Sequence, residues 1–164
     1  MADVIAFTDG GCRGNPGVGA WAFVLVDMKT RKALERAGGL RDTTNNRMEM
    51  QAAIEALHAV KQGGTSVLIV SDSKYLIGCC TQWMAGWKAK GWKRKGDPLK
   101  NVDLLKQLDE LIAERKVTFR WVAGHSGHFG NEHVDHLGNE AMDRIELGKD
   151  PAHERRFDWS GPLE

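Results

Sequence analysis

The sequence predicts an α/β fold built on a mixed sheet. Three strand-like runs come first and are joined by short links, which indicates an antiparallel meander. Apolar residues then recur at helical spacing, and helices and strands alternate through the rest of the chain. The resulting order, βββαβααβα, favours a layered domain in which helices cover a sheet with both antiparallel and parallel strands.

The first three predicted strands are Val4–Thr8, Trp21–Val26 and Lys32–Ala37. The first two are rich in apolar residues, and Asp27–Thr30 has the composition of a turn into the third. These three strands form one half of the predicted sheet.

The glycine-rich stretch GGCRGNPGVGA joins the first two strands. Gly17, Gly19 and Ala22 fit the spacing of a dinucleotide-binding fingerprint, but that fingerprint needs a helix to begin among the glycines. Here Trp21 and Phe23 begin an alternating, strand-like run instead. A Walker loop is excluded because no Gly-Lys-Ser/Thr sequence follows. We therefore expect a wide hairpin connection.

The period changes at Asn45. Met48, Ala52, Leu57 and Val60 are spaced as on one face of a helix, which Thr44 or Asn45 would cap and Gly63-Gly64 would end. The expected elements that follow are a buried strand at Val67–Val70, a short helix from Ser73, a tryptophan-rich basic segment, a helix at Val102–Arg115, a strand at Val117–Val122, a glycine-histidine loop and a helix at Asn131–Ile145.

Length and composition indicate one domain. A chain of 164 residues can bury roughly two-thirds of its unfolded surface. No apolar run reaches the roughly 18 residues that span a bilayer, and the N-terminus lacks a secretion signal, so we expect a cytoplasmic protein without membrane contact. We expect residues 1–147 to form the functional domain and residues 148–164 to form a partly disordered tail.

The cysteines and the charge distribution narrow the function further. Cys12, Cys79 and Cys80 contain no CxxC pair, which argues against a disulfide framework or a thiolate zinc site and predicts reduced thiols. The net charge is only +1, yet six basic residues and one acid lie between Lys88 and Lys100. This asymmetry predicts a basic arm that binds a polyanion.

Four carboxylates lie in apolar surroundings. Asp9 and Asp72 follow strands that are expected to be central, and ligands of open α/β sheets bind beyond such strand ends. Glu49 and Asp135 lie on helix faces that are otherwise apolar, where an unpaired charge is costly. Each residue alone could be a turn or capping residue. Together they would repel one another unless cations lay between them.

An oxygen-only cluster without cysteine favours Mg²⁺ or Mn²⁺. Two such ions suit in-line displacement at phosphorus, because one activates water and the other stabilises the leaving oxygen.

The histidines offer a rival metal site. His125, His128, His133 and His136 form two HxxH pairs that could be interpreted as zinc ligands. The first pair, however, lies in the glycine loop AGHSGHFGNE. A loop histidine close to acidic metal ligands suits proton transfer or product release, because its ordinary pKa is near neutrality. We assign that role to His125 and expect the other three, with His58, to be structural or exposed.

Six segments, in order and spacing, resemble the ribonuclease H family of bacterial type 1. They are FTDGGCRGNPGVGAW, TTNNRMEMQAAIEAL, SDSKYL, TQWMAGWKAKGWK, KNVDLL and WVAGHSGHFGNEHVDHLGNEA, which together cover Val4 to about Met142. The resemblance implies a ribonuclease H-like fold whose five-stranded mixed sheet has three antiparallel strands, then two parallel strands, with helices on both faces. It also implies sequence-nonspecific, Mg²⁺-dependent endonucleolytic hydrolysis of the RNA strand of RNA·DNA hybrids, leaving 5′-phosphate and 3′-hydroxyl ends.

The resemblance also assigns the site residues. Asp9, Glu49, Asp72 and Asp135 match the four metal-binding acids, which hold two Mg²⁺ ions with substrate and can use Mn²⁺ as a substitute. His125 matches the mobile catalytic histidine. These are the five residues that the charge argument selects.

Substrate contacts are implied in the same way. Asn15, Asn45 and Gln51 match positions near the RNA and its 2′-hydroxyls, and Thr44 matches a residue that holds a DNA phosphate. Such amides suit RNA recognition because they can both donate and accept hydrogen bonds.

An aromatic and basic surface completes the implied substrate path. Trp83 and Trp87 match a pair over which the DNA strand passes, although core packing would also explain them. The family's basic protrusion is matched by Lys88, Lys90, Trp92, Lys93, Arg94 and Lys95. A surface of this kind binds phosphates and sugars without reading sequence.

Four positions depart from the family pattern. Lys74 replaces a common Gln, Ala123 a common basic residue, and His136 and Gly138 replace Glu and Ala. None of these changes removes a metal ligand, but they leave substrate affinity, metal preference and the stability of the last helix open.

Two other functions remain possible from sequence. A fold relative that binds nucleic acid without cutting would be expected to lack one of the acids, and this chain keeps all four. An integrase-like or junction-resolving nuclease is disfavoured by Asn15, Asn45 and Gln51, which suit an RNA strand. We expect a monomer.

Overall fold

In the computed structural model, which describes residues 2–61 and 63–164, six strands form one sheet in the order β5-β4-β1-β2-β3-β6. The strands are β1 (Val4–Arg13), β2 (Gly17–Asp27), β3 (Lys32–Thr43), β4 (Ser66–Ser71), β5 (Lys116–Trp121) and β6 (His153–Asp158).

Strand directions confirm the predicted mixed sheet. Strands β1, β2 and β3 pair antiparallel in succession, while β4 pairs parallel with β1 and β5 pairs parallel with β4. The antiparallel meander and the two parallel strands therefore meet along β1, at the centre of the sheet.

The first three strands are longer than the sequence predicts. β1 continues through Asp9 and both following glycines to Arg13, so the hairpin turn is confined to residues 14–16. β3 likewise extends past its two glycines to Thr43. Glycine weakens strand propensity, which hides these extensions in the sequence, but here it permits close approach of neighbouring elements.

The helices are α1 (Asn45–His58), α2 (Lys74–Gly78), α3 (Met84–Ala89), α4 (Val102–Ala113) and α5 (Phe129–Glu146), with a π-helical turn at Cys79–Trp83 between α2 and α3. Thr44 caps α1 as expected, because its Oγ1 accepts a hydrogen bond from the Arg47 amide at 3.3 Å. Ser73 caps α2 in the same way through the Leu76 amide at 3.0 Å. Among the described helices, none has the length and apolar character of a transmembrane segment.

The helices pack on both faces of the sheet, as predicted. On one face, Ile54 and Leu57 of α1 and Leu105 of α4 join Phe23 of the sheet in a buried cluster. On the other face, α5 packs through residues such as Leu137 against a second cluster from β1 and β2. The sheet therefore lies between two helical layers, with α1 and α4 on one face and α5 on the other.

The C-terminal residues differ most from prediction. Residues 148–164, expected to form a partly disordered tail, contain β6, which pairs antiparallel with Lys32–Ala37 of β3. Trp159, which follows this strand, is only 3% exposed and belongs to the core on the α5 side. Polar residues dominate β6 because one face of this edge strand meets solvent, so its sequence does not show the alternation of a buried strand.

Glu35 anchors β6 from inside. This carboxylate of β3 is 2% exposed, and it contacts His153 Nε2 at 2.6 Å, His133 Nε2 at 2.8 Å and Arg155 Nη2 at 3.2 Å. Burial raises the pKa of Glu35, but the hydrogen bonds from Arg155 and the two histidines outweigh it and lower the pKa below its ordinary value. The buried charge is therefore fully compensated, and it ties β3, α5 and β6 together.

Candidate active site

One cavity of about 590 Å³ brings together all five residues that the sequence analysis selects. It opens beyond the carboxyl ends of the central parallel strands, where ligands of α/β sheets bind. The five residues come from separate parts of the fold and are Asp9, Glu49, Asp72, His125 and Asp135.

Strand register places Asp9 beside Asp72. The parallel pairing of β1 and β4 ends at Phe7 opposite Val70, and each aspartate lies two residues further along its chain. Asp9 remains within β1, paired with Ala22 of β2, whereas Asp72 has left β4. Two residues 63 positions apart in sequence are thus brought to the same level of the sheet.

Gly10 brings Glu49 to this point. A Cβ atom on Gly10 would lie 2.1 Å from the carbonyl carbon of Met48 and 2.2 Å from the amide nitrogen of Glu49. Only glycine permits α1 to pass this close to β1. The contact places the Glu49 carboxylate, which is 6% exposed, above the strand that carries Asp9.

The other face of the sheet supplies Asp135 through α5. Gly130, in the first turn of this helix, packs on Phe7, where an added Cβ would lie 2.3 Å from the ring. Asp135 follows one and a half turns later and lines the cavity. The start of α5 therefore packs on Phe7, which lies two residues before Asp9 in β1.

His125 lies in the loop between β5 and α5 and has a left-handed backbone, with φ of 55°. The preceding residue, Gly124, passes so close to Asp72 that a Cβ atom would lie 2.8 Å from Oδ2 of that carboxylate. The side chain of His125 is exposed and reaches the rim of the cavity.

The carboxylates are close enough to repel one another strongly. Oxygen atoms from Asp9, Glu49 and Asp72 all lie within 4.8 Å of one another. Burial raises the pKa of Asp9 to about 9, with Asp72 and Asp135 adding to the shift. Burial and the neighbouring Asp9 raise the pKa of Glu49 well above its usual range, and burial also raises the pKa of Asp72.

The donor set fits hard divalent cations. It consists of carboxylate oxygens, the ligands that Mg²⁺ and Mn²⁺ prefer. Oε2 of Glu49 is fully buried and has no hydrogen-bond partner within the described part of the chain. Such an orphaned carboxylate oxygen is costly, and a cation would compensate it.

Of the predicted RNA-contacting residues, Asn45 lines this cavity and Asn15 is hydrogen-bonded to Asn45. Asn15 is in the β1–β2 turn, where its Oδ1 accepts a hydrogen bond from the backbone amide of Asn45 at 3.1 Å. Asn45 lines the cavity, and Thr44 caps the same helix. Gln51 lies two residues beyond Glu49 in α1 and donates to Glu55 at 3.0 Å. The hairpin turn and the start of α1 therefore form a continuous polar edge.

The predicted aromatic pair consists of Trp83, the last residue of the π-helical turn, and Trp87 of α3. The rings of Trp83 and Trp87 lie 6.1 Å apart, and Trp83 is 43% exposed. The Trp83 ring packs directly on Gly78, where a Cβ would lie 2.5 Å from it. Trp87 is half-buried and also contacts the core on the α1 side. The two rings therefore pack on the protein and also present surface to solvent.

The basic segment divides into free and engaged side chains. Lys90 and Lys93 are exposed, and neither has an ion-pair partner among residues 2–61 and 63–164. Trp92 is half-buried and packs against the core. The structure gives Lys88 a structural partner, because its Nζ lies 2.8 Å from Asp109 of α4. Lys88 therefore fastens the segment to the domain.

The other histidines have structural contacts. Nδ1 of His128 accepts the Asn131 amide at 3.1 Å and so caps α5, while His133 contacts Glu35. His136 contacts Glu140 one turn later at 2.6 Å. Within the described residues these side chains form no shared metal-binding group, which leaves the zinc alternative without support.

Several polar residues of the cavity were not predicted from sequence, among them Asn139 and Arg13. Asn139 lies one turn after Asp135 and donates from Nδ2 to its backbone carbonyl at 3.0 Å, with Oδ2 of Asp135 at 3.4 Å. Arg13, at the end of β1, donates to the Asn139 carbonyl at 3.2 Å and pairs with Asp143 at 2.8 Å. The i, i+4 spacing of Asp135 and Asn139 was the available signal.

Lys74, noted as a departure from the family pattern, lies within the same cavity. Its Nζ is 4.8 Å from the ring centre of Trp121, which is 46% exposed and donates from Nε1 to the backbone carbonyl of Asp72 at 3.1 Å. A cation stacked on an aromatic ring thus borders the acidic cluster.

Comparisons with known proteins identify the family of this chain. The RNase H family model matches residues 1–143. A ribonuclease H of Pseudomonas fluorescens strain Pf-5 is 47% identical over 153 residues, which cover 92% of this chain and 100% of that protein. A ribonuclease H of Maricaulis maris is 48% identical over 87% of this chain and 95% of its own length.

Solved structures give the same result. LC9-RNase H1, a type 1 RNase H with the type 2 active-site motif, superposes with a TM-score of 0.80 at 28% identity and covers 96% of this chain and 77% of that one. LC11-RNase H1 in complex with an RNA/DNA hybrid superposes with a TM-score of 0.65 at 26% identity and covers 87% and 99%. Fold, site and sequence together show that this chain belongs to the ribonuclease H family.

Proposed function

We propose that this member of the ribonuclease H family is a hydrolytic endoribonuclease that cuts the RNA strand of RNA·DNA hybrids, with two divalent cations at Asp9, Glu49, Asp72 and Asp135. The observation that carries the proposal is the buried cluster in which three carboxylates lie within 4.8 Å of one another and one oxygen of Glu49 has no partner. The hybrid bound by the structural neighbour LC11-RNase H1 supports the substrate class.

The acidic cluster supplies the cation site. Two hard cations, when bound, supply an activated water and stabilise the oxygen that leaves phosphorus. Mg²⁺ suits these carboxylates, and Mn²⁺ is a substitute. Asp9 and Glu49 would be held close together, because Gly10 lets α1 pack directly on β1. Asp72, which lies beside Asp9, and Asp135 of α5 complete the set of proposed ligands.

His125 supplies proton transfer. It lies on an exposed loop at the rim of the cavity rather than among the acids, so it can reach a group on the substrate and return to solvent. A histidine titrates near neutral pH and can therefore donate and accept protons there. Gly124 allows its loop to pass beside Asp72.

Substrate selection rests on two surfaces. Asn45 at the cavity, Asn15 bonded to it and Gln51 in the same helix as Glu49 offer amide groups, and such groups can bond the 2′-hydroxyls that distinguish RNA from DNA. Trp83, Trp87, Lys90, Trp92 and Lys93 offer rings and positive charge for the DNA strand, with Thr44 at one phosphate. These contacts carry no base recognition, so cleavage is independent of sequence.

The proposed setting is the cytoplasm, with the enzyme acting as a monomer. All five catalytic side chains come from one chain, so the site needs no partner subunit. The three cysteines are free, and burial raises the pKa of Cys79 to about 11 and of Cys80 to about 12. A raised pKa lowers the fraction of reactive thiolate at Cys79 and Cys80, which suits free thiols in a reducing compartment.

A gel assay tests the proposed reaction. Short duplexes, namely RNA·DNA with either strand labelled, RNA·RNA and DNA·DNA, are incubated with Mg²⁺ and with EDTA. We expect cleavage of the hybrid's RNA strand only, and none in EDTA. Binding without cleavage under both Mg²⁺ and Mn²⁺ would indicate a binding module, and cleavage of DNA would indicate another nuclease activity.

A further inference from the structure

The C-terminal segment, residues 153–161, contacts the helix that follows the catalytic loop. Trp159, the buried residue after β6, stacks on Phe7 with ring centres 5.4 Å apart and a tilt of 21°. The same indole meets the edges of Phe129 and His133, each at 5.4 Å. Trp159 thus joins β1 near Asp9 to the first turns of α5.

Several hydrogen bonds hold Trp159 in place. Its backbone amide donates to the Arg31 carbonyl at 2.8 Å, and Arg31 Nη1 donates in return to the carbonyl of Gly161 at 2.8 Å. The indole Nε1 donates to the Pro162 carbonyl at 3.3 Å. The backbone at Gly161 lies against the Phe129 ring, where a Cβ atom would be 2.2 Å away. These contacts attach the C-terminal segment to Arg31 and to the ring of Phe129.

The C-terminal segment contacts α5 where this helix begins, at the end of the loop that carries His125. Phe129 is the first residue of this helix, directly after His128, which caps it. Within the loop, the Gly127 amide donates to Glu132 of the first turn at 3.1 Å, and the Ser126 hydroxyl donates to the Ala123 carbonyl at 2.6 Å. Because the loop is bonded to itself and to the first turn of α5, its orientation follows that turn.

We propose that Trp159 and Phe129 are positioning residues for His125, so that the C-terminal segment sets the orientation of the catalytic loop. This inference rests on the proposed role of His125. Phe129 keeps 46% of its surface exposed, yet one side of its ring is covered by Trp159 and Gly161. Packing of this kind fixes the helix start without a contact to substrate.

The test is a double-mutant cycle on hybrid cleavage. Phe129→Ala removes the ring that links α5 to Trp159 and leaves the buried core intact, so it is the main variant. Trp159→Ala and the conservative Trp159→Phe, which keeps an aromatic ring on Phe7, form a second series. Leu147→Ala is the matched control, because Leu147 is an apolar residue at the far end of α5 that is 71% exposed. Each variant is made with His125 present and with His125→Ala.

We expect Phe129→Ala to lower kcat about 10-fold with KM unchanged, since a 1 Å misplacement of a catalytic group can cost about 100-fold. In the His125→Ala background the same change should have no effect on kcat. Trp159→Phe should restore most of the activity that Trp159→Ala loses, and Leu147→Ala should match the parent protein. If Trp159→Ala does not fold, the Phe129→Ala cycle decides alone.

Two results would overturn the inference, and they are distinguishable. If Phe129→Ala lowers kcat equally in both backgrounds, or leaves it unchanged with His125 present, the segment does not act through His125, although the role of His125 itself stands. If His125→Ala alone leaves kcat unchanged, the proposed role of His125 fails as well, while Mg²⁺-dependent hybrid cleavage is judged separately by the gel assay.

Discussion

The carboxylates of Asp9 and Glu49 lie within 4.8 Å of each other although one side chain comes from a strand and the other from a helix. Both are almost completely buried, and both have raised pKa values, for Asp9 about 9. The fold thus holds two carboxyl groups where, without a cation, at least one must keep its proton. Stability and activity should therefore depend on the same two residues.

Asp9→Asn should separate binding from turnover. The change keeps the side-chain shape but removes one charged oxygen from the proposed cation site, so we expect hybrid affinity to remain within about threefold while kcat falls by roughly 1000-fold or more. Filter binding and single-turnover cleavage would measure the two quantities. Turnover close to that of the parent protein would contradict the assignment of Asp9 as a metal ligand.

The same variant should remove a pH dependence of stability in EDTA. The pKa of Asp9 is about 9 in the folded chain and near 4 when unfolded, so the folded state binds more protons between these values. The free energy of unfolding of the parent protein should therefore fall as pH rises from about 4 to 9. Asp9→Asn should show a shallower fall and be more stable by roughly 1 kcal/mol or more at the upper end. Parallel curves in urea titrations at several pH values would contradict this.

Replacing Trp87, Lys90 and Lys93 together by Ala should weaken hybrid binding and flatten its dependence on salt. Both lysines are exposed and have no ion-pair partner in the described part of the chain, so each is available to a phosphate. Losing two phosphate contacts should reduce the slope of log affinity against log salt by about 1 to 2. Lys29→Ala with Lys32→Ala, at the β2–β3 turn, removes the same charge and should leave the slope unchanged. An unchanged slope in the triple variant would remove the basic arm from the substrate path.

Lys74→Gln should strengthen Mg²⁺ binding and weaken hybrid binding. The ammonium group of Lys74 lies in the acidic cavity over Trp121, where its charge opposes a divalent cation and attracts a phosphate. We expect the Mg²⁺ concentration for half-maximal activity to fall about two- to fivefold, which corresponds to less than about 1 kcal/mol. Lys106→Gln serves as the control, because Lys106 is an exposed residue of α4 outside the cavity lining. A rise in the required Mg²⁺ would show that Lys74 does not repel the ions.

Glu35→Gln should loosen the C-terminal strand. The carboxylate bonds His133, His153 and Arg155, and hydrogen bonds to charged groups contribute about 1.5–3 kcal/mol each at most. We expect a loss of about 2–3 kcal/mol near neutral pH. Because the pKa of Glu35 is lowered, its contribution is present above the unfolded pKa near 4.5 and is lost as pH falls through the lower folded value. Amide exchange in β6 should accelerate more than in β1; equal acceleration in both strands would contradict a local role.

The central part of the site was predictable because each acid conflicts with its local sequence. Glu49 lies on an apolar helix face and Asp72 follows a wholly apolar strand, and both patterns are visible in the sequence itself. The parallel register that aligns Asp9 with Asp72 was not predictable, since strand partners 63 residues apart leave no local trace. The order of the first five strands was confirmed because each has its own apolar pattern.

The misses have physical causes. β6 is an edge strand whose exposed face carries charge. Its only apolar residue is Phe157, and Trp159 follows the end of the strand, so the apolar alternation is too short to predict a strand. The ion pair between Lys88, which stays a predicted substrate contact, and Asp109 of α4 was likewise not visible in the sequence. Contacts between distant surface residues depend on tertiary packing, which sequence periodicity does not report.

Strand β6 also has a consequence for biosynthesis. It covers the N-terminal half of β3, whose hydrogen-bonding edge would otherwise be open to pairing with another chain. Because β6 follows every other element along the chain, a growing polypeptide completes the meander, the helices and the acidic site before that edge can close. A nascent chain that ends before β6 would contain all four acids and an unpaired edge of β3. Until β6 has been synthesised, that edge of β3 is available to pair with other nascent chains.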